Sequence, residues 1–348
     1  MEVINIILLV KVDKTTYEKI KGLVNGGNYT SMENFVEVAV KNQLLLETEG
    51  KLEITQRPGS QRTAKTDRPL PSTVLQLPAK TPTQTLQAGS LDESIKSAPV
   101  WGQVNRLAPA KFVLRILLNS LVASDETSVD LKRFSAEVAE QATSFRLFAK
   151  KKDKVQRIRG EDLYVGFPEK DPSSQQRFLN YFVGKAPLRK WTDSVLTGLC
   201  LAKIEEMEDG STVIGLTEAG LKFALLYSPL IDDFFLGERQ IDSPFSNEEA
   251  SFLLDNIRLT RPGEYDFLVF TLTSIKKGAD TPTKLRGIIF DFLKGKNLQI
   301  QLSEKVANTM QVGVIGILVE TRLVKIEKQA QKSKYLVTEK GEKLIGKL

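Results

Sequence analysis

Apolar and polar positions change period several times along the chain, and the changes divide it into a head, a spacer and a body. Val3-Ile-Asn-Ile-Ile-Leu-Leu-Val-Lys-Val12 is rich in β-branched residues and predicts a strand. Asp13 then offers a helix cap, and Tyr17, Ile20, Leu23 and Val24 recur at helical spacing. Gly26-Gly27-Asn28 breaks that helix, and Thr30 or Ser31 caps a second one with Phe35, Val36, Ala39, Val40 and Leu44 on its apolar stripe. From 51 to 100 the periodicity vanishes: no aromatic residue occurs there, while six of the 14 prolines do. Such a stretch buries too little apolar surface to offset its chain entropy, so 49–104 is expected to be a disordered, flexible linker.

The body contains a repeat. Leu201-Ala-Lys-Ile-Glu-Glu206, a polar hairpin turn and Val213-Ile-Gly-Leu-Thr-Glu-Ala-Gly-Leu-Lys222 return as Leu323-Val-Lys-Ile-Glu-Lys328, a second turn and Tyr335-Leu-Val-Thr-Glu-Lys-Gly-Glu-Lys343. The offset is 122 residues before the turn and 121 after it. Phe182-Val-Gly-Lys185 and Phe292-Leu-Lys-Gly295 are fainter echoes upstream. Each copy reads as helix, strand, turn, strand, helix, with Thr capping the last helix and Glu in its first turn. The expected class is therefore mainly α with small β elements (α+β), arranged as a head at 1–48, the linker, and two body domains at 105–236 and 240–348.

Two resemblances follow from these residues. Val10-Lys-Val-Asp13, the helix over 16–24, Gly26-Gly27 and Tyr29-Thr-Ser-Met-Glu-Asn-Phe-Val-Glu-Val-Ala-Val-Lys41 resemble the ribbon-helix-helix family over about 45 residues. One strand and two short helices cannot cover both faces of the strand alone, so pairing of two copies is expected, giving a homodimer through 4–48. The strand ending in Leu/Val-Thr-Glu-x-Gly-x-Lys resembles the segment after the wing in winged-helix regulators. That implies two winged-helix-like domains. In the second, Leu302-Ser-Glu-Lys-Val-Ala-Asn308 would be the first helix of a helix-turn-helix and 312–321 the recognition helix. In the first, the aligned helix would start near Arg189 or Lys190 and run to about Leu201.

Composition narrows the chemistry. The chain of 348 residues holds no histidine and one cysteine. That excludes Ser-His-Asp and Cys-His nucleophile pairs, the usual Cys/His zinc sites and an intrachain disulfide. Cys200 lies between Leu199 and Leu201 and is expected to be a buried, inert thiol. No phosphate-cradling glycine loop is present, so neither an enzyme nor a cofactor is expected. No apolar run reaches the roughly 18 residues of a membrane helix, and a cytoplasmic protein is expected. The net charge of +6 is uneven: 17 basic against 10 acidic residues at 106–190, 3 against 9 at 191–240, and 17 against 13 at 241–348.

Candidate contacts to double-stranded DNA are spread over all three parts. Resemblance to ribbon-helix-helix proteins implies that Lys11 reads bases while the amides near Thr30 and Ser31 hold a phosphate. The other groove-facing positions, Ile7 and Leu9, cannot hydrogen-bond a base edge, and residues 1–50 carry 5 basic against 7 acidic residues, so the head also reads as a pure dimeriser. Lys150, Lys151, Lys152, Lys154, Arg157 and Arg159 form the densest basic run, beside Phe145, Phe148, Tyr164 and Phe167. Arg189, Lys190, Thr192 and Ser194 open the first recognition helix, and Asn308, Thr309 and Gln311 precede the aliphatic second one. Lys328, Lys332 and Lys334 could straddle a backbone from the second wing, whereas the first hairpin, Glu205-Glu-Met-Glu-Asp209, is acidic. A transcriptional regulator is the leading expectation. The alternatives are a replication or partition protein of a mobile element, and a non-catalytic interaction scaffold of a defence or toxin–antitoxin system with a protein partner.

Overall fold

The computed structural model describes residues 75–82, 84–89, 91–97, 104–153, 163–184, 194–237, 239–295, 302–329 and 332–346, together with Tyr17, Glu18, Ile20, Lys21, Met32 and Val36 of the head. Those six head residues are helical, Ile20 being buried and Tyr17 exposed. The chain divides into a head unit, 1–66 with 79–81, and a body unit, 67–78 with 82–348.

The described body is mainly helical, with two small antiparallel sheets. Helix α1 (Ala108–Ser124) is apolar on nearly every side and buried along most of its length, as a helix at the centre of a domain should be. Asp125, in the left-handed conformation, ends it, and strand β1 (Val129–Asp130) leads into the long helix α2 (Leu131–Asp153). Helix α3 (Pro172–Phe182) starts at a proline behind an Asp171 cap whose side chain accepts from Ser174 N, a favoured way to open a helix. Phe112 of α1, Phe145 of α2, Phe167, and Phe178 and Phe182 of α3 stack in sequence, with neighbouring ring centroids 4.3–6.1 Å apart. Helix α4 (Val195–Gly198) is a single turn, followed by the hairpin of β2 (Ala202–Glu206) and β3 (Thr212–Leu216). β3 lies between β1 and β2, in register Val129↔Ile214 and Ile204↔Ile214. Helix α5 (Glu218–Leu225) and a π-helix at Pro229–Leu236 complete this copy.

The second copy repeats the plan after an intervening helix, α6 (Asn247–Thr260). It runs α7 (Pro262–Lys276), α8 (Pro282–Lys294), α9 (Glu304–Glu320), the hairpin of β4 (Val324–Gln329) and β5 (Lys332–Val337), and α10 (Glu339–Ile345). A single backbone bond, Tyr335 N to Asp280 O at 2.7 Å, stands where β1 pairs with β3 in the first copy. By this order α1 matches α7 and α2 matches α8, so α3 has no counterpart. The faint Phe182/Phe292 echo therefore joins non-equivalent helices, α3 and α8.

The hairpins match in detail. Cys200 and Arg322, both with left-handed backbone (φ 52° and 61°), follow the helix in each copy. Leu201 N donates to Leu196 O and Leu323 N to Leu318 O, both at 2.8 Å, while Cys200 N and Arg322 N bond Thr197 O and Val319 O. This is the paired bonding of a Schellman helix end. Thr217 and Thr338 then cap α5 and α10 through Gly220 N and Gly341 N, and each hydroxyl donates at 2.6 Å to the carbonyl of Cys200 or Arg322.

Three expectations change. The chain does not turn between 308 and 312: α9 is one unbroken helix, because Asn308, Thr309, Met310 and Gln311 all tolerate helical backbone and Thr309 Oγ1 folds onto Lys305 O. The first-copy helix expected over 189–201 is helical only at Val195–Gly198 among the described residues. Part of the segment expected as a flexible linker packs on the body. Leu75 is buried, its carbonyl accepts from Arg115, Asn119 donates to Gln76 O, and Leu86 N bonds Leu216 O.

One apolar core runs through both copies, and polar contacts tie them. Glu320, at the end of α9, accepts the amides of Leu107 and Ala108 and so caps α1 from the other copy. The carbonyl of Asn105 presses on Gly316 of α9, leaving no room for a β-carbon. Asn256 of α6 donates to Leu199 O at 2.8 Å. Lys111 of α1 reaches the carbonyls of Phe223 and Leu226 at the end of α5, and Glu249 of α6. One turn on, Arg115 bonds the carbonyls of Ala224 and Leu226 and both carboxylate oxygens of Asp232, which the π-helix presents.

Candidate nucleic-acid interface

In the second copy, α8, the front half of α9 and strand β5 are joined by contacts around Pro282 and Asp280. Ser303 caps α9 by accepting from Val306 N, which fixes where the helix begins. Glu304 and Lys305 are exposed, Asn308 and Thr309 half-buried, and Val312 exposed. Beyond Val312 the helix turns inward: Val314, Ile315, Ile317 and Leu318 are buried and Gly316 lies under Asn105. Only the first two turns of α9 face water along one side.

Gln311, expected to reach a base, is buried instead. Its amide donates to Pro282 O at 2.9 Å and braces the start of α8 against α9. Lys334 is half-exposed and ion-paired with Asp280 at 3.3 Å. Lys284, in the first turn of α8, pairs with the same carboxylate at 3.2 Å. The two ammonium groups, Lys284 first, hold the Asp280 carboxyl below its usual range. Lys328 and Lys332 lie towards the turn of the hairpin, in register Lys328↔Ser333 and Gln329↔Lys332.

In the first copy Ser194 is buried and caps α4 by accepting from Thr197 N at 3.1 Å, so it is a helix cap rather than a base reader. The thiol of Cys200 is half-buried rather than fully buried, and burial raises its pKa. The basic run begins as the last turn of α2, where Lys150 and Lys151 are exposed and the Lys152 ammonium sits 5.1 Å above the Phe148 ring. Phe148 packs on Phe234 and Phe235 of the π-helix, so these lysines project from a firmly seated helix end. Their charge also complements the negative end of α2. Lys11, Thr30, Ser31, Lys154, Arg157, Arg159, Arg189, Lys190 and Thr192 lie outside the described residues.

Neither protein-family models, curated proteins nor solved structures match this chain.

Among the described residues no helix is long and apolar enough to cross a membrane, and no group of three or more His, Cys, Asp or Glu side chains is placed to hold a metal ion. Sequence reading missed Lys284, Lys305 and Asp280. The signal for Lys284 was present in Asp280-Thr-Pro-Thr-Lys284, where proline after a capping residue marks a helix start and places the lysine in its first turn.

Proposed function

We propose that this chain is a non-catalytic DNA-binding protein that acts as a homodimeric transcriptional regulator. In this reading each copy of the body is a winged helix, and the ribbon-helix-helix-like head at 4–48 supplies the dimer. The observation that carries it is the solvent-facing front of α9. Lys305, Asn308 and Thr309 stand there on a helix whose rear half is anchored in the core, and Gln311 ties that helix to the start of α8, where Lys284 and Lys334 share Asp280. A hydrogen-bonding helix face flanked by lysines suits a groove and its two phosphate edges. The exposed Lys150 and Lys151 add a second phosphate-facing point. Binding to random duplex DNA as a function of salt tests the reading. A log K that falls linearly with log salt is expected; no binding at low salt, or no salt dependence, would overturn it.

One observation favours a second reading, a protein-interaction module. Ile288 of α8 and Val312 of α9 are exposed apolar side chains on the two helices that would face DNA.

A further inference from the structure

Arg322 and Lys340 are brought to one place by the brace that closes the second hairpin. Arg322 follows α9, Lys340 is the second residue of α10, and Thr338 joins the two by donating to Arg322 O while capping α10. The first copy has the same brace, with Cys200 and Ala219 at the matching positions. The architecture therefore forms without a cation at either position.

Both side chains are half-buried, and the Arg322 Nε and Lys340 Nζ atoms are shielded from solvent with no hydrogen-bond partner among the described residues. The Arg322 side chain reaches Asn247 Oδ1, in the first turn of α6, from a terminal nitrogen at 3.3 Å. Among the described residues neither cation has a carboxylate within ion-pairing distance; Glu248, exposed on α6, is the acidic group that acts on Lys340 from further away. Burial and the neighbouring guanidinium both draw the lysine pKa down. Two neighbouring cations, each with a shielded donor left over, suit an oxyanion that accepts from both.

We propose that Arg322 and Lys340 form a binding site for a phosphate-type oxyanion at the base of the second hairpin. The ligand is either a free phosphate or a backbone phosphate of a nucleic acid, which present the same oxygens to the two cations. The site stands whether or not α9 enters a groove.

The test follows thermal unfolding of the full chain during titration with inorganic phosphate, with sodium chloride holding ionic strength constant. A saturable rise in Tm is expected. It should be lost in Lys340→Ala, which installs the first-copy residue, and in Arg322→Asn, since asparagine accepts left-handed backbone. Lys343→Ala, at an exposed lysine paired with Glu339, should retain it. If the anion is a duplex phosphate, either substitution instead lowers the slope of log K against log salt by about one. A Tm that follows ionic strength alone together with an unchanged salt slope overturns the site, as does a phosphate-dependent rise that both substitutions keep.

Discussion

The Lys111 ammonium and the Glu249 carboxylate stand 3.2 Å apart, both side chains fully withdrawn from water. Burial is the larger influence on each, drawing the lysine from 10.5 down to about 8 and pushing the carboxyl up. A lysine with a depressed folded-state pKa holds its proton less well than in the unfolded chain. Between about pH 8 and 10.5 the unfolded state therefore carries more protons, and this group's contribution to stability rises with pH. Lys111→Met should cost about 3–5 kcal/mol at pH 7, because Glu249 is left buried without a counter-charge. It should also remove the rise across that pH window. Lys111→Met with Glu249→Leu should recover much of the loss. Urea unfolding over a pH series measures all three, and a double variant no more stable than the single one would refute the coupling.

Gly220 and Gly341 are expected to resist alanine. Helix propensity alone gives a gain of roughly 1 kcal/mol for such a change. Here a β-carbon would run into the carbonyl oxygen of Leu201 or Leu323, which is fixed by its own bond to Thr217 N or Thr338 N. Each substitution should instead destabilise by about 1–3 kcal/mol. Equilibrium denaturation decides the sign.

Asp280 is expected to restrain DNA binding. It occupies two ammonium groups, Lys284 and Lys334, that would otherwise be available to phosphates. Asp280→Asn should tighten binding and steepen the salt dependence by about 0.9 per lysine released. The cost in stability should be small, because exposed ion pairs contribute little. An unchanged slope would mean that neither lysine meets the duplex.

Charge reversal at Lys150 and Lys151 separates two roles. Both are exposed at the end of α2, where they offset the helix dipole. If they also touch phosphates, the double Glu variant loses affinity on every duplex sequence alike, measured by fluorescence anisotropy at fixed salt. A variant that loses only about 0.3–1 kcal/mol of stability per site, with affinity intact, confines them to the helix end.

What could be read in advance was what neighbouring residues decide. The hairpins and their threonine caps were legible because Thr217 and Gly220, like Thr338 and Gly341, meet within one helical turn. The mainly helical class followed from the same periodicities. Features set by distant partners were not legible. Gln311 looks like a polar residue ahead of an aliphatic run until Pro282 is found beside it. Lys111 and Arg115 look like solvated charges until the end of α5 and the π-helix enclose them. The unbroken α9 was missed for a different reason: a turn was inferred from polarity at 308–311, although no residue there forbids a helix. Leu75 and Leu86 sit in a stretch whose composition signals disorder, yet Leu75 is buried in the core with its carbonyl held by Arg115, and Leu86 bonds Leu216 O.

The Glu320 bridge bears on how the protein can be taken apart. Aligning the repeat invites a cut between its halves, near residue 240. A first half produced alone would begin α1 with two bare amides and keep the Lys111 charge without Glu249, while the second half would carry Glu320 with no helix to cap. Proteases acting on the native protein should therefore spare that boundary, and the body should persist as one fragment. What the sequence presents as two modules should behave, in expression and degradation, as one.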